Sequence, residues 1–316
     1  MVDVSPFANR LAKNVKHFSK WARRQGLDAW RAYDRDVPQF PFAVDIYKDR
    51  VHLQEYDTGW EMPDEAYRGW VDAVVESIAS VLEIPPGHVT LKNRRRQKGI
   101  SQYEKVGQGG KDFVVEEFGQ RFIVNLDAYL DTGLFLDHRN TRKRVREQAA
   151  GKRFLNLFAY TGSFTVYAAA GGAISSETVD MSNTYQDWAR RNFELNGLDL
   201  SRHQLIRADV FQYLESAVQE GRQFDLIVMD PPSFSNSKKM RDVLDVQRDQ
   251  LWLIDHAMAL LAPGGTLYFS NNLRSFVLDN RLLDDYAIQD ISNQSVPEDF
   301  RNRKIHQCYR IQHKGA

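Results

Sequence analysis

Apolar positions along this chain follow two different rhythms, and the change falls near Leu126. Before it, short segments of mixed type succeed one another. Residues 5–24 carry apolar side chains at helical spacing, with Phe7, Leu11, Val15, Phe18 and Ala22 on one face. Arg10, Lys13, Lys16, Lys20, Arg23 and Arg24 fall on the other. Phe42–Tyr47 and Val51–Tyr56 alternate around Lys48-Asp49-Arg50, the pattern of a hairpin. Pro63 and Asp64 open a helix to about Glu83, with Trp70, Val74, Ile78 and Val81 inward, and Pro85-Pro86-Gly87 stops it. His88–Lys92 predicts a strand, and Phe113–Glu117 with Arg121–Leu126 a second hairpin about Phe118-Gly119-Gln120. The order strand, strand, helix, strand, strand describes a small α+β module.

Beyond Leu126 strands alternate with helices. Phe154–Phe158 predicts a buried strand, followed by the turn Ala159–Ser163 and a helix through Ala170. Ala173–Val179 leads to Asp180, and a helix from about Asn183 to Asn196 closes on Gly197. Gln204–Ile206 leads to Asp209, Val210 and another helix. Phe224–Met229 is an apolar run that stops at Asp230-Pro231-Pro232, where two prolines end any ladder. A helix through Leu261 ends at Pro263-Gly264-Gly265, and Thr266–Ser270 is the fifth strand. This is the grammar of an α/β, doubly wound parallel sheet. The chain therefore divides into a basic helical segment (1–36), the α+β module (37–126) and the α/β domain (127–316).

With 316 residues and 42% apolar content, the chain is globular and long enough for two cores. No run reaches the length of a membrane span, and residues 1–10 lack the apolar stretch of a secretory signal. One cysteine, Cys308, suits a reducing cytoplasm and leaves no cysteine-rich metal site, so no metal is expected. The 42 basic and 42 acidic residues cancel, so only local clustering can argue for nucleic acid. Such clustering exists. The basic face of the first helix and the run Lys92, Arg94, Arg95, Arg96 and Lys98, ahead of Gly107–Gly110, could each be a solvated surface or a phosphate contact.

Ligands of open α/β sheets bind outside the carboxyl ends of the strands. Asp230 is expected there on a stiff turn with Phe234 close behind, either as a helix cap or as a clamp on a planar, hydrogen-bonding substrate. The first strand–turn–helix holds one glycine, Gly162, where a dinucleotide fold carries three, which argues against a pyrophosphate and against a nicotinamide oxidoreductase. Asp180 ends the second strand, where a carboxylate can accept both hydroxyls of a ribose. Asp209 ends the third, where it can accept the exocyclic amine of adenine while Val210 covers the ring. Each could be only a cap. Together they fit an adenosine without a pyrophosphate, as in S-adenosylmethionine.

Asn156–Gly162, Val179–Ser182, Ala208-Asp209 and Asp230–Phe234 resemble the successive motifs of class I S-adenosylmethionine-dependent methyltransferases. Asp131–Arg139, Gln97–Gly99, Ser235–Lys239 and Phe269–Asn272 narrow the resemblance to the bacterial 23S rRNA guanine-N7 methyltransferases, over nearly the whole chain. In that family the domain is commonly the C-terminal half of a bifunctional enzyme, whose guanine-N2 half this chain lacks. The resemblance implies S-adenosylmethionine held by Phe135, Asp137, Arg139, Asn156, Phe158, Tyr160, Thr161, Gly162, Asp180, Met181, Ser182, Asp209, Val210 and Asp230. It implies substrate positioning by Asp230, Pro231 and Phe234, and RNA contacts from Arg10, Lys13, Lys20, Arg94, Arg95, Arg96, Lys98, Lys238 and Lys239. The implied partner is 23S rRNA, naked or early in assembly, alongside a guanine-N2 methyltransferase module, separate or fused. Competing readings are adenine-N6 methylation, cytosine-C5 methylation, which needs a cysteine nucleophile that neither motif region supplies, and a non-enzymatic RNA-binding assembly factor.

Overall fold

The computed structural model describes residues 3–59, 62–93, 110–129, 131–235 and 244–315. The basic run Arg94–Lys98 and the pair Lys238 and Lys239 lie outside them. The chain forms two compact units, one of residues 1–132 with 298–302, the other of residues 133–297 with 303–316.

The first unit begins with α1 (Ser5–Gln25), followed by β1 (Ala29–Asp34), β2 (Phe42–Tyr47), β3 (Arg50–Glu55), α2 (Asp64–Leu82), β4 (Val89–Asn93) and the hairpin β5 (Phe113–Glu117) and β6 (Gln120–Val124). Phe7, Leu11 and Ala22 of α1 are buried as the helical spacing requires, in one core with Trp70, Val74 and Ile78 of α2. The sequence order strand, strand, helix, strand, strand leaves out the first strand. The sheet runs β1-β2-β3-β4, with β4 parallel to β3, and the two expected hairpins form as β2–β3 and as the separate ribbon β5–β6. β1 escaped the pattern because Arg31 and Asp34 interrupt it, yet all six of its residues are buried. The Arg31 guanidinium donates to both carboxylate oxygens of Asp45 at 2.7 and 2.8 Å, which compensates the buried charge.

The second unit runs α3 (Arg139–Gln148), β7 (Arg153–Leu157), α4 (Ser163–Ala170), β8 (Ser175–Val179), α5 (Asn183–Leu195), β9 (His203–Ile206), α6 (Val210–Gln219) and β10 (Phe224–Met229). There follow β11 (Phe234–Ser235), β12 (Leu244–Asp245), α7 (Val246–Ala259), β13 (Leu261–Asn271), α8 (Arg281–Asp285), β14 (Tyr286–Asp290), α9 (Ser292–Ser295) and β15 (Gln307–His313). The seven-stranded sheet has the order β14-β15-β13-β10-β7-β8-β9. Strands β13, β10, β7, β8 and β9 are mutually parallel, as expected, and β15 and β14 add an antiparallel edge. The fifth strand starts at Leu261 rather than Thr266. Leu261 pairs with Phe224 and Thr266 with Leu226, so Pro263-Gly264-Gly265 loops out inside the strand instead of separating it from the helix. Chain order reverses between β7 and β10, and such a switch point opens a crevice at the carboxyl ends of the strands.

Candidate active site

β7 leaves the sheet through a turn in which Phe158, Tyr160 and Gly162 all have positive φ, at 56°, 52° and 73°. Left-handed backbone at two bulky residues costs on the order of 1–3 kcal/mol each and persists only where the surroundings enforce it. Here they do. Ala159 N–H donates to the Val179 carbonyl at 3.0 Å, Tyr160 N–H to the Asp180 carboxylate at 2.9 Å, and Gly162 N–H to the Ala159 carbonyl at 2.9 Å. Thr161 is fully buried, donating its hydroxyl to the Gly133 carbonyl at 2.7 Å, and its own carbonyl accepts from Asn192. Gly162 is required twice over, since a Cβ there would stand 2.7 Å from the Phe193 ring besides straining φ.

Asp180 follows β8. One carboxylate oxygen accepts from Tyr160 N–H and the other from Ser182 N–H, both at 2.9 Å. Burial pushes its carboxyl up to about 6 in spite of these two donors. Ser182 caps α5 through Tyr185 N–H, and the Met181 carbonyl accepts from Arg207. Asp209 caps α6, its Oδ1 accepting from Phe211 N–H at 2.8 Å and Gln212 N–H at 3.4 Å. Its Oδ2 is buried and accepts no hydrogen bond. The cap and the ligand readings of Asp209 are therefore compatible, one oxygen for each. A buried carboxylate oxygen without a donor is costly, and an adenine amine would supply that donor. Val210 beside it is buried in the core.

Asp230 follows β10. Its Oδ1 accepts from the Ser270 hydroxyl at 2.6 Å, and its Oδ2 lies 3.4 Å from Nε2 of His138. Pro231 is buried; the Ser233 hydroxyl donates to Asn272 Oδ1 at 2.5 Å. Phe234 sits on the two-stranded ribbon of β11 and β12 and is 55% exposed. The segment before α3 brings a second group. Asp137 accepts from His306 Nδ1 at 2.8 Å, and the other His306 nitrogen pairs with the Ser295 hydroxyl at 2.8 Å. His138 stacks on His306 with ring centroids 4.4 Å apart and planes within 9°. Burial holds the His138 imidazole below its usual range. Phe135, 39% exposed, sets its ring 4.9 Å from Tyr160.

Among the described residues Asp137, His138 and His306 gather ligand-type atoms within 4.8 Å of one another. Their chemistry does not suit a metal. Both His306 nitrogens are already engaged, and the in-plane lone pairs of two parallel stacked rings cannot converge on one ion at about 2.0–2.1 Å.

The structure thus brings Phe135, Asp137, Phe158, Tyr160, Gly162, Asp180, Met181, Ser182, Asp209 and Asp230 to the carboxyl edge of the sheet. It places others elsewhere. Asn156 is buried within β7 and donates to the Thr165 hydroxyl of α4, and Thr161 and Arg139 are fully enclosed. In the first unit Lys13 and Lys20 are exposed on α1, Arg10 pairs with Asp36 at 3.1 Å, and Lys92 is buried with its ammonium donating to the Asp127 carbonyl. Lys92 therefore does not extend the basic run. His138, Ser270 and His306 were not singled out from sequence, although His138 and Ser270 lie inside Asp131–Arg139 and Phe269–Asn272.

A family model described as S-adenosylmethionine-dependent methyltransferase matches residues 76–302. The chain belongs to that family. This methyltransferase is 68% identical over 315 residues to ribosomal RNA large subunit methyltransferase K of Neisseria meningitidis serogroup B, covering 100% of the chain and 89% of that relative. It is 54% identical to the K/L enzyme of Chromohalobacter salexigens, covering 98% of the chain but 42% of that longer protein. A crystal structure of a methyltransferase complexed with S-adenosylhomocysteine superimposes with a TM-score of 0.79 at 26% identity, over 98% of this chain and 82% of the other. S-adenosylmethionine is the methyl donor, and the residues along the carboxyl edge fit its adenosine. Bound there, it supplies an electrophilic methyl on a positively charged sulfur.

Proposed function

We propose that this methyltransferase acts on the N7 of a guanine in 23S rRNA. The observation that carries the reading is the Asp230 carboxylate, flanked by Ser270 and His138 at the switch point, followed by a stiff Pro231-Pro232 turn and the exposed Phe234 ring. The relative named ribosomal RNA large subunit methyltransferase K supports rRNA as the substrate class. Guanine N7 has a lone pair and no proton, so the task of the site is alignment rather than proton removal. Positioning of that kind is worth roughly 7–11 kcal/mol in favourable systems. Asp230 orients the base through its hydrogen bonds and Phe234 stacks on it. Asp180 receives the ribose hydroxyls, and Asp209 Oδ2 the adenine amine.

Cytosine-C5 chemistry is disfavoured by a structural fact. Cys308 is fully buried on β15, and burial pushes its thiol up to about 12, far from a nucleophilic thiolate. The RNA partner is held by phosphate contacts from the exposed basic face of α1, with Lys13 and Lys20 at its centre, and by Arg94, Arg95, Arg96, Lys98, Lys238 and Lys239. Among the described residues no helix is long and apolar enough to cross a membrane, and an rRNA substrate supports a cytoplasmic enzyme. The K/L relatives are more than twice as long as the part this chain matches, which supports a companion module, and the family resemblance implies that it is a guanine-N2 methyltransferase, separate or fused.

The deciding experiment is methylation of unmodified 23S rRNA with labelled cofactor, followed by nucleoside analysis. N7-methylguanosine is expected. N6-methyladenosine would replace this reading with the adenine one, and cofactor binding without any product would favour an assembly factor. Asp230→Ala and Phe234→Ala should each lose turnover with cofactor affinity largely kept.

A further inference from the structure

His138 and its stacked partner His306 are not among the residues proposed to hold adenosine, yet both are buried polar groups of the second unit. His306 is fixed at both nitrogens, by Asp137 and Ser295, and its ring supports the His138 ring face to face. Phe164 closes on His138 edge-on at 5.9 Å. Of the two His138 nitrogens, Nδ1 is buried with no hydrogen-bond partner, and Nε2 faces Asp230 Oδ2 at 3.4 Å. A neutral imidazole carries one N–H, and only Nε2 has an acceptor before it. Burial, which holds this ring below its usual range, favours that neutral form. The separation is one at which hydrogen bonds of ligand-free active sites commonly stand before substrate tightens them.

We propose that Ser270 and His138 fix the Asp230 carboxylate as a two-acceptor fork that reads the N1–H and N2–H edge of an unpaired guanine, with His138 as a positioning residue. This rests on the guanine-N7 reading and deepens it. An ionised carboxylate only accepts hydrogen bonds. The N7 and O6 edge of guanine also only accepts, so Asp230 cannot grip the base there. Guanine is the one common RNA base with two adjacent N–H donors on its pairing edge. Adenine and cytosine each set a ring acceptor beside their amine, and uracil has a single N–H. Gripping that edge leaves N7 free for the methyl, and requires that the guanine first be released from its base pair, since the same donors serve pairing. A carboxylate free to rotate would offer a single acceptor as readily as two, and would discriminate poorly. One oxygen is fixed by Ser270 and the other faced by the imidazole, which holds the fork in one plane.

The test compares RNA carrying guanosine or inosine at the position that the enzyme methylates, since inosine retains N7 and N1–H but lacks the 2-amino group. The wild-type enzyme should lose about ten- to a hundred-fold in kcat/KM on inosine, the worth of one charge-assisted hydrogen bond, with the product still methylated at N7. In His138→Phe, which keeps the stack on His306 but removes the N–H, the guanosine rate should fall and the guanosine-to-inosine ratio approach one. His138→Gln, which restores an N–H near the Nε2 position, should recover the ratio. A merely structural role for His138 would depress both substrates together, and an unchanged ratio in His138→Phe would overturn the proposal. So would a wild-type enzyme indifferent to inosine, a result that needs no variant to fold. Methyl at N7 with a flat ratio removes this inference alone, whereas methyl on adenine removes the guanine reading beneath it.

Discussion

With Asp180 as the proposed ribose acceptor, cofactor binding should depend on pH, and the sign of the effect follows from its surroundings. Its carboxyl stands at about 6 in the folded chain against an ordinary 3.8, because burial outweighs the two backbone donors. A folded value above the unfolded one means that the stability linked to this group is full below pH 3.8 and lost as pH rises through about 6. At 1.36 kcal/mol per pH unit the loss is at most about 3 kcal/mol for the ligand-free protein. Binding runs the other way. Ribose hydroxyls donate to the ionised carboxylate, so the ligand draws the group back towards its ordinary value. Affinity should therefore be level above pH 7 and fall about ten-fold between pH 7 and pH 5, with up to one proton released on binding towards the acid end of that range. Calorimetric titration with S-adenosylhomocysteine, in buffers of different ionisation enthalpy, measures the slope and the proton together. Asp180→Asn should bind weakly at every pH and lose the slope, because its amide nitrogen would face one of the two backbone N–H groups that Asp180 now accepts. An affinity flat from pH 5 to pH 7, or an unchanged slope in Asp180→Asn, would refute the assignment of Asp180 to the ribose.

Asp209→Asn keeps the cap on α6 but presents a donor where Oδ2 now stands. Its unfolding midpoint should stay near wild type while S-adenosylhomocysteine affinity falls about ten- to a hundred-fold. Gly162→Ala should cost about 2–4 kcal/mol in denaturant unfolding, since left-handed strain and a Cβ 2.7 Å from the Phe193 ring act together. Lys13, Lys16 and Lys20, all exposed on α1, changed together to Glu should weaken RNA binding and flatten its salt dependence, with cofactor affinity unaltered in calorimetry. Cys308→Ala should keep turnover, because a buried thiol on β15 takes no part in the chemistry, and a rate loss well beyond its loss of stability would reopen the cysteine mechanism.

The parts of the fold visible in sequence are those where one signal dominates. β7, β8, β9 and β10 are short runs that each end near a turn or an acid, and a parallel sheet buried on both faces needs little else to specify it. What stayed hidden is structure whose sequence signal is cancelled by tertiary pairing. β1 contains Arg31 and Asp34, which read as surface until Asp45 is seen to accept the guanidinium. Pro263-Gly264-Gly265 reads as the end of an element, yet the strand resumes its ladder beyond them. β14 and β15 form a polar-rich antiparallel edge, with no apolar run to announce them.

The same division runs through the site and says something about how it was assembled. Asp180, Asp209 and Asp230 were legible because each sits where a strand ends, a place fixed by local sequence. Their environments were not, because those come from distant segments: Ser270 lies 40 positions from Asp230, and His306 lies 169 from Asp137. The local pattern supplies carboxylates, and the fold decides what each can do. Both oxygens of the half-buried Asp180 accept backbone donors, Asp209 gives one oxygen to a helix and keeps the other buried without a donor, and Asp230 is braced by a hydroxyl and an imidazole. The desolvated Asp180 carboxyl, the Asp209 Oδ2 without a donor and the left-handed turn at Phe158–Gly162 each carry a cost in the ligand-free protein. On the proposed roles, an adenosine and a base would therefore meet acceptors that need little reorganisation. In a transfer that asks for no proton, such preorganisation is where these residues can contribute most to the rate.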